Sequence, residues 1–275
     1  MVDAEELLHV AVEIAREAGA LARRRREEGV TVAATKSTLA DIVTEADREV
    51  EDLIRTRLAD ARPGDGFLGE ESGVEEGTSG ITWVVDPIDG TVNYLYGIPH
   101  YAVSIAAVAG EVAAARWTPL AGVVFAPATG ELFHASRGGG AWAGEQRLSV
   151  SQPGDAGALL ATGFGYDPAT HAGDLERVRR VMPIARDLRR GGSASLDLAY
   201  VAAGRLDGYF ERGLHPWDHA AGGLLVIEAG GRLWGIPDGA PGREMTIAAC
   251  PALLERLHAA LYAPDAGESS PPGYS

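Results

Sequence analysis

Acidic residues recur in this chain where apolar runs end and helical patterns begin. Glu70 and Glu71 follow Phe67-Leu68, while Asp86 and Asp89 flank Pro87-Ile88 after Trp83-Val84-Val85, with Gly90-Thr91 next. Asp47 falls in the first turn of one predicted helix, and Asp218 follows Trp217 at the start of another. Open sheets place ligands where strand ends adjoin helix starts. If Asp47, Glu70, Asp86, Asp89 and Asp218 converge, each pair of carboxylates ~4 Å apart repels by about 4 kcal/mol at an effective dielectric of ~20. Such a cluster stays ionised only with cations among its members. Oxygen ligands without Cys or His select Mg²⁺, Mn²⁺ or Ca²⁺ over zinc. The competing interpretation spreads the same acids over helix caps and turns as solvated groups. Asp86 and Asp89, directly after a buried strand, fit it worst.

Gly90 and Thr91 add the second half of the chemistry. A glycine ahead of a helix start exposes backbone N–H groups that can hold a phosphate, and the Thr91 hydroxyl can hydrogen-bond an attacking water. Phosphate monoester hydrolysis is among the slowest uncatalysed reactions, with enhancements up to ~10²¹, and metal ions answer that difficulty. Lys36, the only lysine among 24 Lys and Arg residues, lies shortly before Asp41-Ile42-Val43-Thr44. It supplies a compact point charge of the kind Arg does not, unless it is an accident of the surface. The stretch Gly64-Asp65-Gly66-Phe67-Leu68-Gly69 matches G-x-G-x-x-G, but it follows a predicted helix and leads into a strand, the reverse of a dinucleotide site. No P-loop, H-E-x-x-H or G-x-S-x-G sequence occurs.

The elements that must position these residues follow from periodicity. Residues 1–28 predict an amphipathic helix with Leu7, Val10, Ala11, Ile14, Ala18, Leu21 and Ala22 inward, capped by Asp3 and ended by Gly29. The basic run Arg23–Arg26 sits in its last turns, where cations suit the helix dipole. A second helix is predicted over 44–58, then a turn at Pro63–Gly66 and a strand at Phe67-Leu68. Short strands follow at 83–85, 102–108, 122–125 and 131–135. The second half predicts strands at 159–161, 208–210 and 245–248, and helices at 175–181, 195–203, 217–229 and 251–261. Interleaved helices and strands indicate an α/β or α+β layered architecture.

At 275 residues, 46% of them apolar, the chain fits one large domain or two closely packed halves. A net charge of −15 argues against nucleic acid as the main partner. The sole cysteine, Cys250, excludes an internal disulfide and fits a reducing cytosol, so a cytoplasmic location is expected. No segment approaches the ~18 uninterrupted apolar residues of a membrane span, and the acidic N-terminus has no signal-peptide core. Residues 263–275, rich in Pro, Gly and Ser, are expected to form a disordered tail.

Lys36 with Asp41 to Asp47, Gly69-Glu70-Glu71-Ser72, Trp83 to Tyr94, Gly192-Ser193-Ala194, Glu211 and Trp217-Asp218 together resemble the inositol monophosphatase family over residues 1 to about 262. Thr91-Val92-Asn93-Tyr94 and Gly163 to Asp167 look most similar to its bacterial members. The resemblance implies one domain folded as a layered α/β/α/β/α sandwich, with a metal and phosphate half near 1–150 and a substrate half near 151–262. It also implies a homodimer, two to three Mg²⁺ ions per site and sensitivity to lithium. By the family pattern, Glu70, Asp86 and the Ile88 carbonyl would hold one ion, Asp86, Asp89 and Asp218 a second, and Glu70 would help hold a weaker third. Thr91 and Asp47 would position the nucleophilic water, with Glu70 on the same catalytic side. Gly90 and Thr91 would take the phosphate, while Glu211, Asp89, Asp218 and the Ala194 region would meet the substrate. The implied reaction is hydrolysis of myo-inositol 1-phosphate. The alternatives within the family are histidinol phosphate, a nucleotide 3′-phosphate, NADP and fructose 1,6-bisphosphate. A non-catalytic binding protein that keeps the fold is a third hypothesis, against which the intact acid set argues. Ser195, Leu198-Ala199 and a long 110–122 connection depart from the pattern.

Overall fold

A computed structural model describes residues 3–30, 32–35, 42–111, 117–154, 156–236 and 239–262. Helix α1 (Ala4–Glu28) starts where the Asp3 side chain accepts the Glu5 amide at 3.0 Å and stops at Gly29, whose φ is 110°. Its inward stripe is the expected one, with Leu8, Ala15 and Gly19 added; Val10 and Leu21 are only partly buried. Within the basic run, Arg25 pairs with Glu28 and Glu49, and Arg23 lies 3.9 Å from Glu27. Strands β1 (Val32–Thr35) and β2 (Ile42–Thr44) form a small antiparallel ladder that delivers the chain to α2 (Glu45–Ala61). Then come β3 (Gly66–Gly69), β4 (Gly73–Glu75), β5 (Ile81–Asp89) and the short α3 (Thr91–Tyr96). A meander follows through β6 (Ala102–Gly110), β7 (Trp117–Ala126), β8 (Glu131–Ser136), β9 (Gly140–Ala143) and β10 (Gln146–Arg147). The second half runs β11 (Ala158–Thr162), α4 (His171–Val181), β12 (Ala185–Arg189), α5 (Ala194–Ala202), β13 (Gly208–Glu211) and α6 (Pro216–Glu228). It ends with β14 (Arg232–Gly235), β15 (Thr246–Ala249) and α7 (Pro251–Tyr262).

Two sheets carry the architecture. The larger is ordered β10-β9-β8-β7-β6-β5-β3-β4, antiparallel except where β3 pairs with β5, and the smaller is ordered β12-β11-β13-β15-β14. Helices α1 and α2 cover one face of the large sheet, α5 and α6 fill the space between the sheets, and α4 and α7 pack together on the outer side of the small one. The layered α/β/α/β/α sandwich is therefore present. Strand β6 shows why it holds: Val103, Ile105 and Ala107 point to the α1/α2 core, and Ala102, Ala106 and Val108 to the middle core. A strand buried on both faces reads as a continuous apolar run. The middle core joins Val84 and Phe133 of the first half to Leu160, Leu198 and Leu225 of the second.

The structure departs from the sequence expectations in three places. Asp86 and Asp89 lie inside β5, not beyond its end. The connection expected over 110–122 is shorter, because β7 already begins at Trp117. Strands β1, β2, β4, β9, β10, β12 and β14 have no counterpart among the expected strands. The false dinucleotide motif is a turn entering β3, as expected. Lys36, Asp41 and the 263–275 tail lie outside the described residues.

Candidate active site

The site begins with an irregularity in β5. On the ladder to β6, Asp86 pairs with Ser104 and Asp89 with Ala102, so three steps along β5 face two along β6. The extra residue is a bulge at Pro87-Ile88, where a proline forfeits no ladder donor; bulges re-aim side chains next to functional sites. Both Asp86 and Asp89 consequently line one cavity of about 500 Å³, together with Glu70, Ile88, Gly90, Thr91, Ala194, Glu211 and Asp218. Asp86 Oδ1 accepts the Ile88 amide at 3.1 Å. Glu70 enters the cavity just beyond the end of β3, the parallel neighbour of β5. Asp218 is the third residue of α6, and its Oδ2 accepts the His215 amide at 2.7 Å, so a helix cap fixes it.

Asp89 is held from the other half of the chain. Its Oδ2 accepts Ser193 Oγ at 2.6 Å, the Ser195 amide at 2.7 Å and Ser195 Oγ at 2.5 Å; its Oδ1 accepts the Ala194 amide at 3.3 Å. Three donors crowd Oδ2, whereas Oδ1 has one, so Oδ1 keeps more lone-pair capacity. The first turn of α5 supplies these donors, where the helix dipole favours a negative charge. Gly90, between Asp89 and α3, has φ 96°, and a Cβ there would stand 3.0 Å from the carbonyls of both Gly192 and His100. Only glycine fits. Asn93 clips the same junction by donating to His100 O at 2.7 Å and Gly191 O at 2.9 Å.

Behind the cavity wall lies Asp47, 1% exposed, in the first turn of α2. The Thr44 amide donates to Asp47 Oδ2 at 2.8 Å, and the Thr44 hydroxyl donates to the same oxygen. The Thr91 hydroxyl stands 3.3 Å from Asp47 Oδ1 and 3.2 Å from Ile88 O. Its one proton goes to those acceptors, so its lone pairs remain available on the cavity side. Burial pushes the Asp47 carboxyl up to about 6, against the lowering effect of the Thr44 bonds.

Asp86, Asp89 and Asp218 bring ligand oxygens within 4.8 Å of one another. Burial raises the Asp86 and Asp218 carboxyls well above the usual range, and mutual repulsion with Glu70 and Asp89 pushes the same way. Asp89 is raised by burial in spite of its four donors. His219, beside Asp218, gives no compensating charge, because burial lowers it to about 4. The donor set is all carboxylate and carbonyl oxygen, close-set and deeply held, which fits hard divalent cations.

Of the residues expected at the site, Glu70, Asp86, Ile88, Asp89, Gly90, Thr91, Ala194, Glu211 and Asp218 share the cavity, and Asp47 touches it through Thr91. Sequence reasoning missed Tyr209, Arg190 and Arg243, and took Ser195 only as a departure. Arg190 and Arg243 line the outer cavity, with Arg243 Nη1 at 2.6 Å from His215 Nε2. The usable signal for the serines was Ser193-Ala194-Ser195 ahead of an apolar helix, a capping pattern.

The model of the inositol monophosphatase family matches residues 3–266. The inositol-1-monophosphatase of Mycobacterium bovis is 43% identical over 93% of this chain and 93% of its own length. The Nus factor SuhB of Escherichia coli is 44% identical over 82% of this chain and 83% of its own. The solved structure of extragenic suppressor protein suhB from Bartonella henselae has a TM-score of 0.85 and 38% identity, covering 94% of this chain and 99% of that one. With its whole described length matched and the acid cluster assembled, the chain belongs to the inositol monophosphatase family, a family of phosphatases.

Proposed function

We propose that the protein is a Mg²⁺-dependent phosphomonoesterase that hydrolyses myo-inositol 1-phosphate to myo-inositol and phosphate. The observation that carries this reading is the meeting of Asp86, Asp89 and Asp218 in the cavity that Thr91 and Glu211 also line. Glu70, Asp86 and the Ile88 carbonyl would hold one ion, Asp86, Asp89 and Asp218 a second, and Glu70 would help with a third. When bound, these ions screen the phosphate charge, lower the pKa of water and stabilise the leaving oxygen. The chain's own residues do the rest. Thr91, its proton directed to Asp47 and Ile88 O, accepts a hydrogen bond from the attacking water and turns the water's lone pair toward phosphorus. The Gly90 and Thr91 amides, free of intrahelical partners at a helix start, donate to phosphate oxygens. Glu211, which lines the same cavity, accepts from substrate hydroxyls, which inositol 1-phosphate offers and histidinol phosphate lacks. Lys36 adds a supporting charge.

The same reading takes the enzyme as a lithium-sensitive cytoplasmic homodimer. Among the described residues no helix is long and apolar enough to cross a membrane, and Cys250 is a buried free thiol. The Nus factor name carried by the Escherichia coli relative favours a second reading, in which this fold also serves a binding partner. The assembled acid cluster supports retained catalysis alongside it.

The test is phosphate release from inositol 1-phosphate, histidinol phosphate, a nucleotide 3′-phosphate, NADP and fructose 1,6-bisphosphate, with Mg²⁺ and with EDTA. Turnover should be highest for inositol 1-phosphate, vanish in EDTA and return with Mg²⁺. Substantial turnover in EDTA would refute the mechanism, and preference for another ester would refute the substrate.

A further inference from the structure

Glu211 is held from two sides. Strand β13 carries Tyr209 and Glu211 two residues apart, so both side chains leave the sheet on the same face. Tyr209 is fully buried, and its hydroxyl donates to Glu211 Oε2 at 2.5 Å. A phenol has one proton to give. Oε2 takes it, and Oε1 is left for another donor. Burial keeps that phenol protonated by raising it well above its ordinary range. Burial also pushes the Glu211 carboxyl up to about 8, and the Tyr209 bond is the foremost influence drawing it back down. Tyr209 thus favours the ionised, accepting form of Glu211.

The second side is Gly163, the residue after β11, which pairs in parallel with β13. A Cβ on Gly163 would stand 2.1 Å from Glu211 Oε2 and 2.2 Å from Oε1 and Cδ. The carboxylate lies over the bare α-carbon, in space a side chain would fill. The φ of Gly163 is not in the left-handed region. Glycine is therefore required here by the carboxylate above it and not by the backbone.

We propose that Tyr209 and Gly163 determine substrate specificity, by fixing the Glu211 carboxylate in the one position from which it accepts hydrogen bonds from a polyol phosphate. This rests on the reading of Glu211 as the hydroxyl acceptor. Tyr209 and Gly163 are positioning residues, since they act through Glu211. The two substitutions perturb Glu211 differently. Tyr209→Phe removes a bond and keeps the ring; Gly163→Ala displaces the carboxylate end of the Glu211 side chain.

The experiment measures kcat and KM of the Mg²⁺-loaded full-length enzyme for inositol 1-phosphate and for p-nitrophenyl phosphate, which offers no hydroxyls. The variants are Tyr209→Phe, Gly163→Ala, Glu211→Gln and the Tyr209→Phe/Glu211→Gln pair, each with a melting temperature. Each single change should lower kcat/KM for inositol 1-phosphate by about tenfold or more, the scale of one lost hydrogen bond to a charged group. For p-nitrophenyl phosphate, Tyr209→Phe and Gly163→Ala should stay within about twofold of wild type, and Glu211→Gln should lose less than it does on inositol 1-phosphate. In the Glu211→Gln background, Tyr209→Phe should have almost no further effect, since contacting residues are not additive. If Glu211→Gln is selective but Tyr209→Phe and Gly163→Ala are silent, the proposal falls and the reading of Glu211 stands. If both substrates suffer equally, the two residues support the site at large and the proposal also falls. If Glu211→Gln itself shows no selectivity, the hydroxyl-acceptor reading fails and the proposal goes with it. Should Tyr209→Phe fail to fold, Gly163→Ala alone distinguishes these outcomes.

Discussion

At the scale of single residues, Asp86 concentrates the conflict between stability and function. It is almost fully buried, and burial and four neighbouring acids, Glu70, Asp89, Asp218 and Asp47, disfavour its charge. A carboxylate kept under those conditions is retained for what it holds. Asp86→Asn keeps the shape and the Oδ1 acceptor for the Ile88 amide while removing the charge. Activity with Mg²⁺ should fall at least tenfold, a loss of about 1.4 kcal/mol or more in the transition state. The melting temperature in EDTA should rise by roughly 2–4 °C, as expected for ~1 kcal/mol in a chain of this size. Calorimetry in EDTA and a phosphate-release assay check both; an active variant, or one that melts lower than wild type in EDTA, contradicts the assignment. Asp86, Asp89 and Thr91 were legible in the sequence because acids packed against a proline, a glycine and a buried strand are unusual. Tyr209 was not, because a tyrosine on an apolar strand looks like any core aromatic until its hydroxyl is seen on Glu211. Ser193 and Ser195 were hidden in the same way, since a cap serine and a serine that binds a carboxylate 104 or 106 residues away look alike.

At the scale of elements, α2 shows how a helix start becomes part of a site. Thr44 and Asp47 form a reciprocal capping box, and Asp47 turns its other oxygen to Thr91. The local signal that begins the helix therefore also fixes the carboxylate against which the Thr91 hydroxyl rests. Thr44→Ala should cost about 0.5–2 kcal/mol of stability, the usual loss for a cap. It should also lower kcat with little change in KM, because Asp47 is freed to turn away from Thr91. Thr44→Ser should restore both, since it keeps the hydroxyl. Urea unfolding and steady-state kinetics on the two variants check this, and a lower stability with unchanged kcat would confine Thr44 to the cap. Most helices were readable to within a few residues, because their apolar stripes are broad and their caps ordinary. Four of the strands that went unread share a place: β4 and β10 are the edges of the large sheet, β12 and β14 the edges of the small one. Edge strands are short and charged, a guard against pairing with other chains. Ala185-Arg186-Asp187-Leu188-Arg189 in β12 has no apolar face to betray it. The β5 bulge was equally invisible, because Pro87 looks like the end of a strand when it marks a kink inside one.

At the scale of the whole molecule, the acids gathered from β3, β5 and α6 make the folded state electrostatically dependent on cations. The carboxyls of Asp86, Asp89 and Asp218, and those of Asp47 and Glu211, are raised in the fold relative to an unfolded chain. For an acid so shifted, the folded state binds the extra proton, and stability falls as pH rises from the unfolded pKa to the folded one. That window runs from about 4 to about 6 for Asp47 and from about 4.5 to about 8 for Glu211, and the raised Asp86 and Asp218 act in the same direction. The metal-free protein should therefore lose melting temperature steadily between pH 5 and pH 8. In the proposed reading Mg²⁺ would replace those protons at Asp86, Asp89 and Asp218, and a ligand at 100 times its Kd stabilises by about 2.7 kcal/mol. At roughly 2–4 °C per kcal/mol, the gap between the Mg²⁺ and EDTA melting curves should reach about 5–10 °C at pH 8. It should narrow toward pH 5, where protons already neutralise the cluster and compete with the ion. Melting the protein in Mg²⁺ and in EDTA at half-unit steps over this range gives the answer. A gap that is constant with pH, or widest at pH 5, would mean that the converging carboxylates are not where the cation binds.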